Sequence, residues 1–186
     1  MSGLLTDYIY HRNTFPHEYC DNIIEAYKEE LFFRGTNANN DRHVGEIQIS
    51  DNFVIDKKNS YARKTIEQDI FKFIGFLIDD YMKVTQTKHL KIEQDVGYSL
   101  RQMNVGDYYS EHDDDGIGED AGKKRLTVSI CLNEEYEGGD FTFFDEKETY
   151  KFKKGDVIVF PSTFMYPHGV RKITSGTRYQ LITWLR

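Results

Sequence analysis

Cysteine is scarce in this chain: Cys20 and Cys131 are the only two in 186 residues. They are too few and too far apart for a disulfide framework or a thiolate zinc site, so a reducing compartment is the simpler setting. Long apolar runs are missing as well. None approaches the roughly 18 residues that a membrane-spanning helix needs. The opening MSGLLTDYIYHRN has no basic stretch leading into an apolar segment and a small-residue cleavage site. Together these absences predict a cytoplasmic protein with no membrane partner. Positive charge is in the minority, with 24 Lys and Arg against 31 Asp and Glu and a net charge of −7. That balance gives no electrostatic footprint for general nucleic-acid binding, although a local basic groove stays open.

What the chain does have is aromatic mass, 13 Tyr and 13 Phe, with 39% hydrophobic residues overall. Such a composition folds, and it leans toward β-structure. The length fits one domain over residues 1–186, with 1–90 mainly helical support and 91–186 the core. In NTFPHEYCDNIIEAYKEEL, Asn13 or Thr14 offers a cap, Pro16 suits a first turn, and Tyr19, Ile23, Ile24 and Tyr27 recur at helical spacing. A helix over about 16–30 follows. GTNANNDRH reads as a polar loop and GEIQISDNFVI as one or two short strands. From Ser60 to Val84 the residues Ile66, Ile70, Ile74, Leu77, Ile78 and Tyr81 mark a long amphipathic helix packed on a sheet. After residue 90 the period falls to two. RLTVSICLN places Leu126, Val128, Ile130 and Leu132 on one face and Thr127, Ser129, Cys131 and Asn133 on the other, a half-buried strand. DFTFF, TYKF, DVIVFP, GVRKI and RYQLITWL follow as short strands, with DEKE and KKGD as turns. Helices first and a compact antiparallel barrel or sandwich afterwards is the α+β picture.

The chemistry concentrates around YSEHDDDGIGED. On a strand, positions i and i+2 share a face, so His112 and Asp114 can reach one cation together while Asp113 points away. By itself this is also what a solvated acidic turn looks like. His168, in FPSTFMYPHGV, stands where the DVIVF strand ends. Two imidazoles and one carboxylate with open positions form the facial triad of non-haem Fe(II) oxygenases. Arg178 shares its face with Gln180, Ile182 and Trp184. An inward arginine needs an anionic partner, and its planar fork matches a carboxylate.

GDYYSEHDD, RLTVSICLNEEYEGGDFTFF, KKGDVIVFPS and PHGVRKITSGTRYQLITWL, taken in order over roughly 97–186, resemble the Fe(II)/2-oxoglutarate-dependent dioxygenases, in their prolyl 4-hydroxylase-like branch. The resemblance implies a double-stranded β-helix, or jelly roll, preceded by supporting N-terminal helices. It implies that His112, Asp114 and His168 bind iron and act in catalysis, and that Arg178 binds the distal carboxylate of 2-oxoglutarate. Dioxygen is the other co-substrate, and ascorbate a candidate reductant. The expected reaction is hydroxylation of an unactivated C–H bond, with succinate and carbon dioxide as co-products. A related halogenase would place chloride where Asp114 stands. Two tyrosines common in the family fall here at Met103 and Cys131, which leaves Tyr109, Thr127 and Tyr98 as candidates for the second co-substrate donor, Tyr109 first. A prolyl residue in a peptide or protein is the expected substrate, with a free amino acid or other small metabolite as the alternative. A catalytically silent jelly roll that binds a ligand or metal, and more remotely a zinc hydrolase, stay open.

The remaining features read as structural. His11, His17, His43 and His89 sit in polar or helical contexts and are expected to be solvated. Asp113 and Asp115 suit the loop or the outer surroundings of the metal. EDAGKKR is a charged loop or a substrate lid, and EGGDF is a strand start that requires unusual φ angles.

Overall fold

The longest element forms where apolar residues recur at intervals of three and four. Helix α3 (Ser60–Thr85) buries Ile70, Ile74, Leu77 and Tyr81 along one stripe. Helix α2 (His17–Tyr27) does the same with Cys20, Ile23 and Tyr27, and the short α1 (Gly3–Thr6) precedes both. At the start of α2, Pro16 itself occupies the capping position and no side chain caps the helix. Asn13 instead donates its side-chain amide to Asp156 and to the Lys154 carbonyl. The computed structural model describes residues 3–30, 33–35, 44–49, 60–115 and 122–186. The predicted polar loop GTNANNDRH after Gly35 falls outside them, as do His43 and residues 119–121 of the predicted lid EDAGKKR.

The α+β fold is a jelly roll. Its larger sheet has seven antiparallel strands in the order β1 (Tyr10–Asn13), β10 (Asp156–Pro161), β6 (Leu126–Cys131), β13 (Arg178–Leu185), β4 (Tyr98–Met103), β3 (Val44–Ile49) and β2 (Phe33–Gly35). The smaller sheet runs β5 (Tyr109–His112), β11 (His168–Val170), β8 (Phe141–Phe143) and β9 (Glu148–Tyr150). A ribbon of β7 (Tyr136–Gly138) and β12 (Ile173–Gly176) completes the fold. GVRKI is thus divided between β11 and β12 rather than forming one strand.

Two cores lie on opposite faces of the larger sheet. On the outer face, Leu100, Val128, Ile130, Val157, Val159 and Leu181 meet the apolar stripes of α2 and α3. Each such side chain contributes about 1.5–3 kcal/mol on leaving water. On the inner face, Met103, Cys131, Ile158 and Phe160 meet Tyr109, Phe141, Phe143 and Val170 of the smaller sheet. Every residue of β6 is buried, so this strand is covered on both faces rather than half-exposed. The reason is that its polar row, Thr127, Ser129 and Cys131, faces the interior between the sheets while its apolar row faces the helices. The structure also adds β1, a strand the sequence pattern did not suggest, as an edge beside β10. His11 on that strand is not simply solvated: its ring stacks on Phe152 at 5.3 Å and its Nε2 lies 3.3 Å from the Asp156 carboxylate.

Candidate metal centre

Strand pairing brings the two histidines together. His168, the first residue of β11, is the cross-strand partner of His112, the last residue of β5, and their rings are 4.4 Å apart. The Nδ1 atom of His112 lies 2.8 Å from the Ser110 carbonyl, and that of His168 lies 3.1 Å from the Tyr166 carbonyl. When each Nδ1–H donates to its carbonyl, the lone pair of Nε2 is left facing inward, the arrangement that prepares an imidazole as a metal ligand.

Asp114 reaches the same point from just beyond β5. Its Oδ1 lies 3.7 Å from His112 Nε2 and its Oδ2 lies 3.5 Å from His168 Nε2. One ligand atom from each of the three residues falls within 4.8 Å of the others, so the cluster could hold one metal ion, and among the described residues it is the one such group. The convergence does not come from the strand pleat alone, because β5 ends at His112 and the chain bends there. What fixes Asp114 is Thr127, whose hydroxyl donates to Oδ2 at 2.8 Å and lies 2.9 Å from the Ser162 hydroxyl. Asp113 is exposed and accepts from the Asp115 N–H, while Asp115 accepts from the Gly122 N–H. Both serve the loop.

Electrostatics matches the geometry. Burial, reinforced by repulsion from His168, pushes His112 down to about 4, so its imidazole is neutral near pH 7. Burial alone would push Asp114 up, but the charges of His168 and His112 and the Trp184 and Thr127 side chains outweigh it and hold the carboxyl down at about 2. Two imidazoles and one carboxylate held down in its ionised form suit a divalent first-row metal.

A series of aromatic rings leads from this cluster to Arg178. His168 stacks on Phe141 at 5.4 Å, Phe141 on Phe152 at 5.6 Å, and the Arg178 guanidinium lies 5.2 Å from the Phe152 ring. Arg178 is fully buried. Its Nη1 donates to the Gly139 carbonyl at 2.9 Å, and Nε and Nη2 have no hydrogen-bond partner among the described residues. A buried guanidinium edge without an acceptor is costly, and an incoming carboxylate would satisfy it bidentately. The glycines of EGGDF take the predicted unusual angles, with φ of 77° at Gly138 and 68° at Gly139.

Of the three candidates for a second co-substrate donor, Tyr109 faces this interior, with its ring 5.9 Å from that of His112. Thr127 faces it too, but its hydroxyl already holds Asp114. Tyr98 is a correction: it packs in the outer core and donates its hydroxyl to Asp95. Strand parity sends Tyr98 and Leu100 toward the helices and Met103 inward. Sequence reasoning did not single out Ser162, which no pattern marks, or the Gln180–Ser129 hydrogen bond on the inner face. For Gln180 a signal existed, since it shares the parity of Arg178.

Residues 98–186 match the family model of the 2OG-Fe(II) oxygenase superfamily. Among curated relatives, a PKHD-type hydroxylase of Prochlorococcus marinus is 27% identical over 143 residues, 75% of this chain and 60% of that protein. A PKHD-type hydroxylase of a Psychrobacter species is 31% identical over 98 residues, 48% of this chain and 36% of that protein. The chain thus spans about 60% of the first relative's length and a smaller share of the second's. Solved structures that share the fold include two prolyl hydroxylases. The viral collagen prolyl hydroxylase of Paramecium Bursaria Chlorella virus-1, solved with 2OG, superimposes with a TM-score of 0.70 at 18% identity, covering 96% of this chain and 95% of that one. A Trichoplax adhaerens prolyl hydroxylase, in complex with a peptide fragment of the hypoxia inducible factor oxygen degradation domain, gives 0.70 at 18%, covering 99% and 86%. Residues 98–186, just under half of the chain, thus match the 2OG-Fe(II) oxygenase superfamily around the paired histidines, and the chain shares the fold of these two prolyl hydroxylases.

Proposed function

We propose that this chain hydroxylates an unactivated C–H bond, that of a prolyl residue in a peptide or protein, using Fe(II), dioxygen and 2-oxoglutarate. The observation that supports this reading best is the pairing, across one buried interior, of a two-histidine, one-carboxylate cluster with an arginine whose Nε and Nη2 lack a partner among the described residues. In this reading His112, Asp114 and His168 hold the iron, and Arg178 takes the distal carboxylate of 2-oxoglutarate. Bound iron supplies the oxygen chemistry, in which 2-oxoglutarate and dioxygen are converted to succinate, carbon dioxide and the oxygen atom placed on the substrate. Ascorbate is the candidate reductant that keeps the metal ferrous.

The protein's part is positioning and exclusion of water. Thr127 orients Asp114, the Ser110 and Tyr166 carbonyls orient the imidazoles, and Phe141, Phe143 and Phe160 pack against His168. Phe152 lines the route to Arg178. The choice of a prolyl substrate rests on the printed names of the relatives and structural neighbours. Succinate release from 2-oxoglutarate, measured with Fe(II) in air with and without proline-containing peptides, tests the proposal. Peptide-stimulated succinate with hydroxyproline in the product is expected. Succinate stimulated only by free amino acids would move the substrate to the small-molecule class, and turnover supported by zinc would overturn the redox reading.

A further inference from the structure

We propose that Tyr136 is the second donor to the distal carboxylate of 2-oxoglutarate, joining Arg178 at the end of the interior away from the metal cluster. This rests on the co-substrate reading above. A carboxylate offers about four lone-pair sites, and one guanidinium edge fills two of them. Another donor near Arg178 is therefore needed to desolvate that end of the molecule without cost. Thr127 is committed to Asp114, Tyr98 is on the wrong side of the sheet, and Tyr109 stands beside His112 at the metal end.

Tyr136 is placed at the arginine end. The Arg178 guanidinium lies 5.9 Å from its ring centre. Both side chains border Gly139: a Cβ on that glycine would lie 3.4 Å from Tyr136 Cε2 and 3.5 Å from Arg178 Cδ. The hydroxyl of Tyr136 lies 3.3 Å from Cys131 Sγ, and that thiol lies 3.1 Å from the Asn133 carbonyl, to which it can donate. The phenol proton then faces a sulfur, a weak acceptor. A carboxylate within reach displaces it readily, because a hydrogen bond to an ionised oxygen is roughly twice as strong as a neutral one. Burial also raises Tyr136 well above the usual phenol range, against the opposing charge of Arg178, so the hydroxyl keeps its proton. The residue escapes notice in the sequence because it stands in the short β7, between acidic neighbours and a pair of glycines.

The test is calorimetric titration of the full chain loaded with Mn(II), using 2-oxoglutarate and, separately, oxalate, which can chelate the metal but has no distal carboxylate. Tyr136→Phe removes one oxygen and keeps the ring. It should weaken 2-oxoglutarate by about 10-fold to 100-fold, the effect of losing a hydrogen bond to a charged group, and leave oxalate affinity and the Tm of the metal-free chain unchanged. Tight wild-type binding of 2-oxoglutarate that Tyr136→Phe does not weaken overturns this inference alone, as does an equal loss for both acids. Wild-type chain that binds 2-oxoglutarate no better than oxalate overturns the co-substrate reading and this inference together.

Discussion

At the scale of single residues, three consecutive aspartates have three different fates. Asp114 is buried with its oxygens turned to both histidines, while Asp113 and Asp115 accept backbone N–H groups of the loop. Asp114→Asn removes the anionic ligand and deprives Thr127 of its charged acceptor. Fe(II) affinity should fall by at least about 10-fold to 100-fold, the range found even for changes outside the ligand set, and succinate formation should cease. Asp113→Asn and Asp115→Asn should keep stoichiometric iron and most turnover. Fe(II) titration of the three variants side by side checks this, and loss of iron in Asp113→Asn with retention in Asp114→Asn would reverse the assignment.

At the scale of elements, the turn after β7 carries the weight of the co-substrate end. Gly139 has φ of 68°, and a Cβ there would lie 2.5 Å from Ile173 Cδ1, while its carbonyl holds Arg178 Nη1. Gly139→Ala should therefore lower 2-oxoglutarate affinity more than iron affinity, along with a loss of stability on the order of 1–3 kcal/mol. Paired ligand titrations and denaturant unfolding read the two effects. Much of this element structure was legible in the sequence. The helical spacing of Ile70, Ile74, Leu77 and Tyr81 gave α3 within a residue or so of its ends, and the alternation along β13 put Arg178 and Gln180 on one face. Where both faces of a strand are buried, alternation has no polar side to reveal which face is which, so the sequence leaves Tyr98 on β4 a candidate co-substrate donor although it packs in the outer core. Strand β1 has only one buried residue and pairs on one edge, so YHRN carries no β pattern to detect. The Thr127–Ser162 support of Asp114 joins residues 35 apart and depends on the pairing of β6 with β10, which no local signal encodes.

At the scale of the whole molecule, among the described residues no helix is long and apolar enough to cross a membrane, and the helices are spent on covering the larger sheet. That cover makes the fold sensitive to alkali. Burial pushes Cys20, Tyr10 and Tyr27 up to about 12, with an Asp80 hydrogen bond adding to the effect on Tyr10. Groups whose pKa is raised by folding contribute stability in full below their ordinary pKa, about 9 for the thiol and 10 for the phenols, and lose it as the pH climbs toward 12. Denaturant unfolding should therefore show stability falling between about pH 9 and pH 12, with the tyrosinate absorption that Tyr10→Phe and Tyr27→Phe remove appearing together with unfolding. Titration of Tyr10 and Tyr27 near 10 in an intact fold would contradict the burial argument. The central claim, one interior that holds a metal at one end and a dicarboxylate at the other, is tested most directly by the 2-oxoglutarate affinity of Arg178→Ala loaded with Fe(II) under anoxia. Removing a desolvated charge pair worth about 2–5 kcal/mol should weaken 2-oxoglutarate by roughly 30-fold or more while Fe(II) still binds stoichiometrically. Loss of iron with 2-oxoglutarate binding intact would contradict the account.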